Sequence, residues 1–190
     1  YWHHDTIRIR DFSWLGDSTW WCGTYDPCWL QPRGYGNNWY QILERDFPEV
    51  ALGSAPGDEL ELIWDQRFAM EHDYDYGYID ISEDDGETWN TLHFVHNYGF
   101  AGQPGRGSDW DDAMYAHVEL DLSAYAGIPF RLRFRFESDV AYSAQDQYNN
   151  PPMNSVQDGA WQLDNITFLK NAEDTLFYDD CESGNLGWIH

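Results

Sequence analysis

The chain has 190 residues, a length that suits one domain with a buried core. It carries 34 acidic and 10 basic residues, and the resulting net charge of −24 opposes binding to nucleic acid. The 11 Trp, 13 Tyr and 10 Phe supply core-forming area that disordered chains lack, and no run reaches the roughly 18 apolar residues of a membrane-spanning helix. Composition therefore predicts a folded acidic domain, in which bound calcium is the natural compensating charge.

The three cysteines bear on the redox setting of the protein. Cys22 and Cys28 flank a short loop that contains Asp26 and Pro27, and this spacing favours a local disulfide. Such a disulfide predicts an oxidising location, extracellular or at the cell surface. Cys181 is then left over, as a buried thiol or as the partner of a cysteine on another chain.

Short apolar or alternating runs predict strands along the chain. At 131–136, three arginines face one way and the apolar side chains face the other. Similar β-branched or aromatic runs occupy 59–64, 77–81 and 161–168, with Gly-, Pro-, Asp- and Asn-rich turns between them. No stretch predicts an amphipathic helix of ten residues. The pattern predicts an all-β fold in which two antiparallel sheets form a sandwich.

Residues 82–89 match the Asp box, S-x-D-x-G-x-T-W. We expect Ser82 and Asp84 to hydrogen-bond to the backbone of a turn that Gly86 permits, with Thr88 following and Trp89 packing beneath. The motif occurs in sialidases, but it also recurs in many secreted β proteins. We therefore interpret it as a structural turn.

Several carboxylates stand where they suggest a metal site. Glu71, Asp73 and Asp75 alternate just before the strand at 77–81, and in an extended segment they would share one face. That arrangement suits either a calcium site or a solvated stripe. Asp164 interrupts an otherwise apolar strand, where a carboxylate must be paired with a cation or bound to a metal.

Catalytic signals are weak. The sequence has no H-E-x-x-H, no G-x-S-x-G and no phosphate-binding glycine loop. His93 and His96 lie three apart with no third ligand pattern, which favours surface or core histidines over a zinc site. The many acids leave a two-carboxylate glycosidase open without singling out a pair. We predict a protein that is not an enzyme.

A series of segments in a fixed order carries a resemblance to a known family. They are 18–23, 35–43, 60–64, 71–78, the Asp box, 119–127, 131–136 and 161–166. Together they resemble the MAM-like jelly-roll modules that accompany secreted immune-inhibitor-A-type metallopeptidases and occur in many bacterial surface proteins. The resemblance covers nearly the whole chain. It implies a calcium-binding jelly-roll sandwich that is itself non-catalytic.

The family's opening motif stands at the wrong end of this chain. Modules of this kind begin with an acidic strand and turn of the type D-D-F-E-S-G-x-x-G-W, which occurs here at 179–188 with Cys181 at the usual aromatic position. In the family, the calcium site gathers acids from this turn and from the closing strand. The resemblance therefore implies the calcium ligands Asp180, Glu182 and Asp164, with Glu71 and Asp75 as further candidates.

The misplaced motif predicts a mode of assembly. We expect a jelly-roll body at 1–170, followed at 171–190 by a linker and a C-terminal strand that completes the next subunit or tandem repeat. Strand addition from head to tail that does not close gives a filament. Its partners would be copies of the same chain, with calcium at the junction. The residues of this assembly strand would be Leu176, Phe177, Tyr178, Cys181 and Trp188.

The alternative function is a non-catalytic accessory module of a larger secreted protein. Such a module would bind carbohydrate or another cell-surface ligand through aromatic residues in the long loops at 102–112 and 143–158.

Overall fold

The computed structural model describes residues 2–5, 18–29, 33–68, 70–71, 73–96, 114–141, 143–146 and 159–190. One short helix, α1 (Pro48–Gly53), and one 3-10 turn (Ser123–Tyr125) lie among the strands of this part. The predicted loop at 102–112 and most of that at 143–158 lie outside it. None of the described helices is long and apolar enough to cross a membrane. The strands are β1 (Trp2–Asp5), β2 (Thr19–Cys22), β3 (Thr24–Tyr25), β4 (Arg33–Gly34), β5 (Tyr40–Asp46), β6 (Leu60–Phe68), β7 (Tyr76–Ser82), β8 (Asn90–Val95), β9 (Met114–Asp121), β10 (Arg131–Glu137), β11 (Trp161–Lys170) and β12 (Asp174–Asp179).

Two antiparallel sheets pack against each other, which confirms the predicted all-β sandwich. The first sheet has the order β1-β2-β11-β6-β9, and β12 also pairs with β11. The second sheet has the order β5-β10-β7-β8, and β3 and β4 form a separate two-stranded ribbon. Strand β11 pairs with β6 along one edge, while its other edge is shared by β2 at 161–163 and β12 at 166–170.

The apolar and the arginine side chains of β10 lie on opposite faces of the sheet, as the sequence predicts. Leu132, Phe134 and Phe136 are fully buried between the sheets, whereas the arginines between them lie on the outer face. Aromatic rings fill much of the core: Phe134 lies 5.8 Å from Trp64 and 5.7 Å from Trp161, measured between ring centroids. Large rings bury much apolar surface for each ordered side chain, so they dominate the stability of this core.

The C-terminal segment closes the sandwich of its own chain. Phe177 of β12 lies opposite Phe168 of β11 in the first sheet. Trp188 is 2% exposed, and Ile189 exchanges two backbone hydrogen bonds, of 2.9 and 2.8 Å, with Glu44 of the second sheet. The segment predicted to complete the next subunit therefore pairs with strands of its own chain. Its pairing in trans stays a prediction.

Candidate metal site

Three carboxylates meet where the strands of the second sheet begin and end. Glu71 and Asp75 lie in the connection between β6 and β7, and Asp139 follows β10. Because β10 and β7 are antiparallel and Glu137 pairs with Tyr76, the residues just beyond these two positions are brought together. One carboxylate oxygen from each of the three acids lies within 4.8 Å of the other two.

A tight turn, rather than an extended segment, presents the first two acids to each other. The backbone N–H of Asp75 donates to the carbonyl oxygen of Glu71 at 3.2 Å, and Asp73 between them has a φ of 63°. This left-handed conformation is tolerated by aspartate better than by most residues. The expected alternation of 71, 73 and 75 on one face is therefore wrong, since Asp73 is exposed and does not join the triad.

Asp75 is fully buried and well supplied with donors. Its Oδ2 accepts hydrogen bonds from the Tyr35 hydroxyl at 2.5 Å and from the Glu71 backbone N–H at 3.1 Å. Its Oδ1 accepts from the Asp139 backbone N–H at 3.0 Å. Burial still raises the pKa of Asp75 to about 6, because the loss of hydration outweighs these bonds.

Glu71 is the unusual member of the triad. It is 7% exposed, and its buried Oε2 accepts no hydrogen bond from the described residues. Burial first, and then the charges of Asp75, Asp139 and Asp146, raise the pKa of Glu71 to about 8. A buried carboxylate oxygen without a donor or a cation is strongly unfavourable. This oxygen therefore calls for either a bound proton, which the raised pKa of Glu71 favours, or a bound cation.

Further oxygens without donors lie beside the triad. The side chain of Asn37 donates to Asp146 Oδ1 at 3.0 Å, while Asn37 Oδ1 and Asp146 Oδ2 are buried and accept no hydrogen bond among the described residues. Asp146 lies close enough to act on the pKa of Glu71. A set of carboxylate and amide oxygens fits the six to eight oxygen ligands that Ca²⁺ prefers. Zinc, which favours nitrogen and sulfur ligands, suits this set less well.

Of the five predicted ligands, Glu71 and Asp75 enter the triad and, in the described part of the chain, Asp164 does not, although its Oδ2 is also buried without a hydrogen-bond donor there. Asp164 lies on β11 opposite Asp65 of β6, just before a bulge at which Asn165 has a φ of 53°. The Asn165 backbone N–H donates to Asp164 Oδ1 at 2.7 Å, and burial raises the pKa of Asp164 to about 7.

The two predicted ligands from the terminal turn also stay outside the triad. Glu182 accepts hydrogen bonds from the backbone N–H of Ser18 at 2.8 Å and from its hydroxyl at 3.3 Å. Asp180 accepts one from the Glu182 backbone N–H at 3.0 Å. Both acids are held by the C-terminal segment, whereas the triad depends on the connection between β6 and β7. Separate elements therefore position the two groups.

The Asp box forms a hydrogen-bonded turn after β7. Asp84 accepts from the Ser82 hydroxyl and the Thr88 backbone N–H, each at 2.8 Å, and from the Thr88 hydroxyl at 2.6 Å. These bonds from Thr88 and Ser82 lower the pKa of Asp84 to about 2. Gly86 has a φ of 91°, and its carbonyl accepts from the Trp89 indole N–H at 3.0 Å.

All three cysteines are free thiols in the structure, so the predicted disulfide is not formed. Cys22 is fully buried at the end of β2, and burial raises its thiol pKa to about 12, whereas Cys28 is exposed. Their different environments explain why sequence spacing alone misleads here. Cys181 is buried with its sulfur 3.6 Å from the Leu163 carbonyl oxygen, which agrees with the buried-thiol alternative.

Comparison with models of known protein families finds no match, and comparison with curated proteins finds none either. The resemblance to MAM-like modules therefore stays a prediction based on the order of the segments.

Proposed function

We propose that this chain is a calcium-stabilised structural module of an extracellular protein and has no catalytic role of its own. The observation that carries the proposal is the buried Glu71 carboxylate, which has an oxygen without a donor and two neighbouring acids. A divalent cation bound there would satisfy that oxygen and offset the mutual repulsion of Glu71, Asp75 and Asp139.

The position of the site explains how a cation would act on stability. Asp75 already ties three segments together, because it accepts from Tyr35 before β5, from Glu71 after β6 and from Asp139 after β10. A cation held by the triad would crosslink these segments at the same end of the sandwich. Binding to the folded state alone stabilises it by about 2.7 kcal/mol at a calcium concentration one hundred times the Kd.

Calcium should therefore raise the thermal midpoint of the wild-type chain by about 5 °C or more under these conditions. Glu71→Gln should lose most of this gain, because an amide is a weaker calcium ligand than a carboxylate. In chelator at pH 8.5, the same variant should be at least as stable as wild type, since it removes a buried negative charge. Differential scanning fluorimetry and calorimetric calcium titration measure both effects.

Asp73→Asn is the matched control, because Asp73 is an exposed acid of the same turn that stays outside the triad. It should keep the calcium response. If calcium stabilised Glu71→Gln as much as wild type, the calcium site would lie elsewhere. If calcium did not stabilise wild type, the proposal of a calcium module would be rejected.

The pH dependence has a defined sign. The folded-state pKa of Glu71, about 8, lies above its ordinary value of 4.5. Between about pH 4.5 and pH 8, and without metal, Glu71 keeps its proton in the folded state but has released it in the unfolded chain. The free energy of unfolding should therefore fall as pH rises through this range. Calcium must displace the same proton. Its affinity should therefore increase with pH up to about pH 8.

A second candidate, head-to-tail assembly through the terminal strand, draws support from the turn between β11 and β12. Asn171 and Ala172 both have positive φ, of 51° and 58°. Alanine in this conformation costs roughly 1 kcal/mol, because its Cβ approaches the following carbonyl. Opening the turn would release this strain, and short strained hinges favour strand exchange between copies.

Ala172→Gly should stabilise the closed chain by about 0.5–1 kcal/mol and reduce any strand-exchanged oligomer. Urea unfolding measures the first effect, and size-exclusion chromatography with electron microscopy measures the second, with and without chelator. Glu173→Gly is the control in the same turn, because it adds backbone entropy at a residue whose φ is not positive. A wild-type chain that stays monomeric at every concentration would contradict the assembly but leave the calcium site intact.

A further inference from the structure

The outer face of the second sheet carries a continuous aromatic row that crosses all four strands. It comprises Tyr40 of β5, Tyr76 and Tyr78 of β7, Phe94 of β8 and His96 just after it, with Arg135 of β10 between Tyr40 and Tyr78. The strand register places Tyr78 directly opposite Arg135 on one side and Phe94 on the other, whereas Tyr40 lies opposite Glu137, two residues along β10 from Arg135. Side chains at alternate positions of neighbouring strands share one face, so this row is a property of the sheet.

The members of the row touch in sequence. Phe94 stacks on His96 at 5.3 Å with an angle of 24° between the rings, and His96 lies 5.6 Å from Tyr76. Tyr76 lies 6.1 Å from Tyr78. The Arg135 guanidinium lies 3.9 Å from the Tyr78 ring centroid and 5.9 Å from that of Tyr40. The row therefore forms one surface of rings and a planar cation.

The ends of this surface are open to solvent. Tyr40 is 56% exposed and Phe94 is 53% exposed. Single exposed apolar residues are ordinary, whereas exposed rings joined into one surface are candidates for an interaction site. With neighbouring strands about 4.8 Å apart, the row extends about 14 Å from β5 to β8, which suits an elongated ligand.

The charges of the face decide what kind of ligand fits. Arg135 is held by Asp80, with 2.7 Å between Nε and Oδ2, and it also forms an ion pair with Glu137. The cation of the row is thus neutralised locally, and the chain as a whole carries a net charge of −24. An anionic ligand meets repulsion at this face, and so does a second copy of this chain where no bound cation lies between the two copies. A neutral ligand does not.

We propose that this aromatic row binds a neutral polysaccharide. Tyr40 and Phe94 stack on the C–H faces of sugar rings, and Glu137 and the tyrosine hydroxyls hydrogen-bond to sugar hydroxyls. The sheet face, rather than the long loops suggested by the sequence, supplies the aromatic contacts. This inference does not rest on the calcium proposal, because none of its ring contacts involves Glu71, Asp75 or Asp139.

Affinity electrophoresis in native gels that contain galactomannan, hydroxyethylcellulose or laminarin tests the proposal, with hyaluronate as an anionic comparison that calcium does not gel and calcium present throughout. Wild type should be retarded by at least one neutral polysaccharide and not by hyaluronate. Tyr40→Ala and Phe94→Ala should each weaken binding by about 3- to 10-fold, as expected for the loss of one aromatic contact. Both side chains are more than half exposed, so the variants should keep the fold.

Tyr25→Ala is the matched control, since Tyr25 is 68% exposed but lies on the ribbon of β3 and β4. It should bind as wild type does. Retardation by none of the neutral polysaccharides overturns the proposal, as does an equal loss in Tyr25→Ala. If wild type formed a concentration-dependent dimer and Phe94→Ala abolished it, the face would bind a second copy of the chain. That result would also overturn the polysaccharide proposal. Each outcome leaves the calcium response of the wild type separately measurable.

Discussion

Replacing Trp188 with alanine should lower the free energy of unfolding by about 3–5 kcal/mol, the usual cost of removing a large buried ring. Trp188 is 2% exposed, and its ring lies 5.6 Å from Phe47 and 6.0 Å from Phe134. Its indole N–H donates to Asp179 Oδ2 at 2.8 Å. The substitution therefore creates a cavity between the sheets and removes one donor from a buried carboxylate.

Urea unfolding at fixed calcium measures this effect. Ile189→Ala is the control in the same segment, because Ile189 is 56% exposed and contacts the sheet through its backbone. It should change stability by less than about 0.5 kcal/mol. A loss below about 1 kcal/mol in Trp188→Ala would mean that the terminal segment is not part of the core in solution. If the segment is exchanged between copies, the measured stability will also depend on protein concentration.

The sequence predicts this segment as a strand that completes the next subunit or repeat, whereas in the single chain it pairs with β11. Apolar residues at 176–178 and the acidic turn that follows are local signals, and both resemble the start of a module. Whether such a strand folds back depends on the turn at 171–173. Here Asn171 and Ala172 adopt positive φ, which lets β12 pair with β11 directly. An alanine at such a position is unusual, so sequence rules did not anticipate the reversal.

The sandwich and the Asp box are predicted well because both follow from local sequence patterns. A period of two assigns each residue of β10 to a face, and the fixed spacing of Ser82, Asp84 and Gly86 specifies a turn without distant contacts. The core then follows from the same alternation, because the inward positions of β10 are Leu and Phe.

The ligand set of the candidate metal site depends on distant pairing and was only partly predictable. Glu71 and Asp75 are neighbours in sequence, but Asp139 reaches them through the register of β10 against β7. Pairing the predicted strands at 131–136 and 77–81 in antiparallel order would have placed Asp139 beside Asp75. The missing donor at Glu71 Oε2 is a three-dimensional property, and no sequence pattern reports it.

Replacing Asp80 with alanine should also cost about 3–5 kcal/mol, because it leaves two arginines without their shared partner. Asp80 is buried in β7, where its Oδ2 accepts from Arg133 Nε at 2.9 Å and from Arg135 Nε at 2.7 Å. The Thr91 hydroxyl donates to its Oδ1 at 2.6 Å. The side chains of Arg133 and Arg135 are only 13% and 12% exposed, so water cannot fully replace the lost carboxylate.

The pKa of Asp80 gives this prediction a second readout. Burial alone would raise that pKa, but hydrogen bonds from Arg135, Thr91 and Arg133 together hold it below its ordinary value of 3.8. The carboxylate therefore contributes stability that is present above about pH 4 and is lost as pH falls through the folded-state pKa. Asp80→Asn should remove this loss of stability at acid pH, because the amide does not titrate. Its amide oxygen still accepts a hydrogen bond, so Asp80→Asn should be less destabilising than Asp80→Ala at neutral pH.

Glu87→Ala is the matched control, because Glu87 is an exposed acid of the adjacent Asp-box turn and its φ is not positive. Its free energy of unfolding should stay close to that of wild type, as measured by urea unfolding between pH 3 and pH 7. The loss of Asp80 should also release Arg135 from its position over Tyr78, since that guanidinium is fixed by the carboxylate it contacts. An Asp80→Ala chain as stable as the control would show that the arginine face is solvated, and would remove the anchor that we assign to the aromatic row.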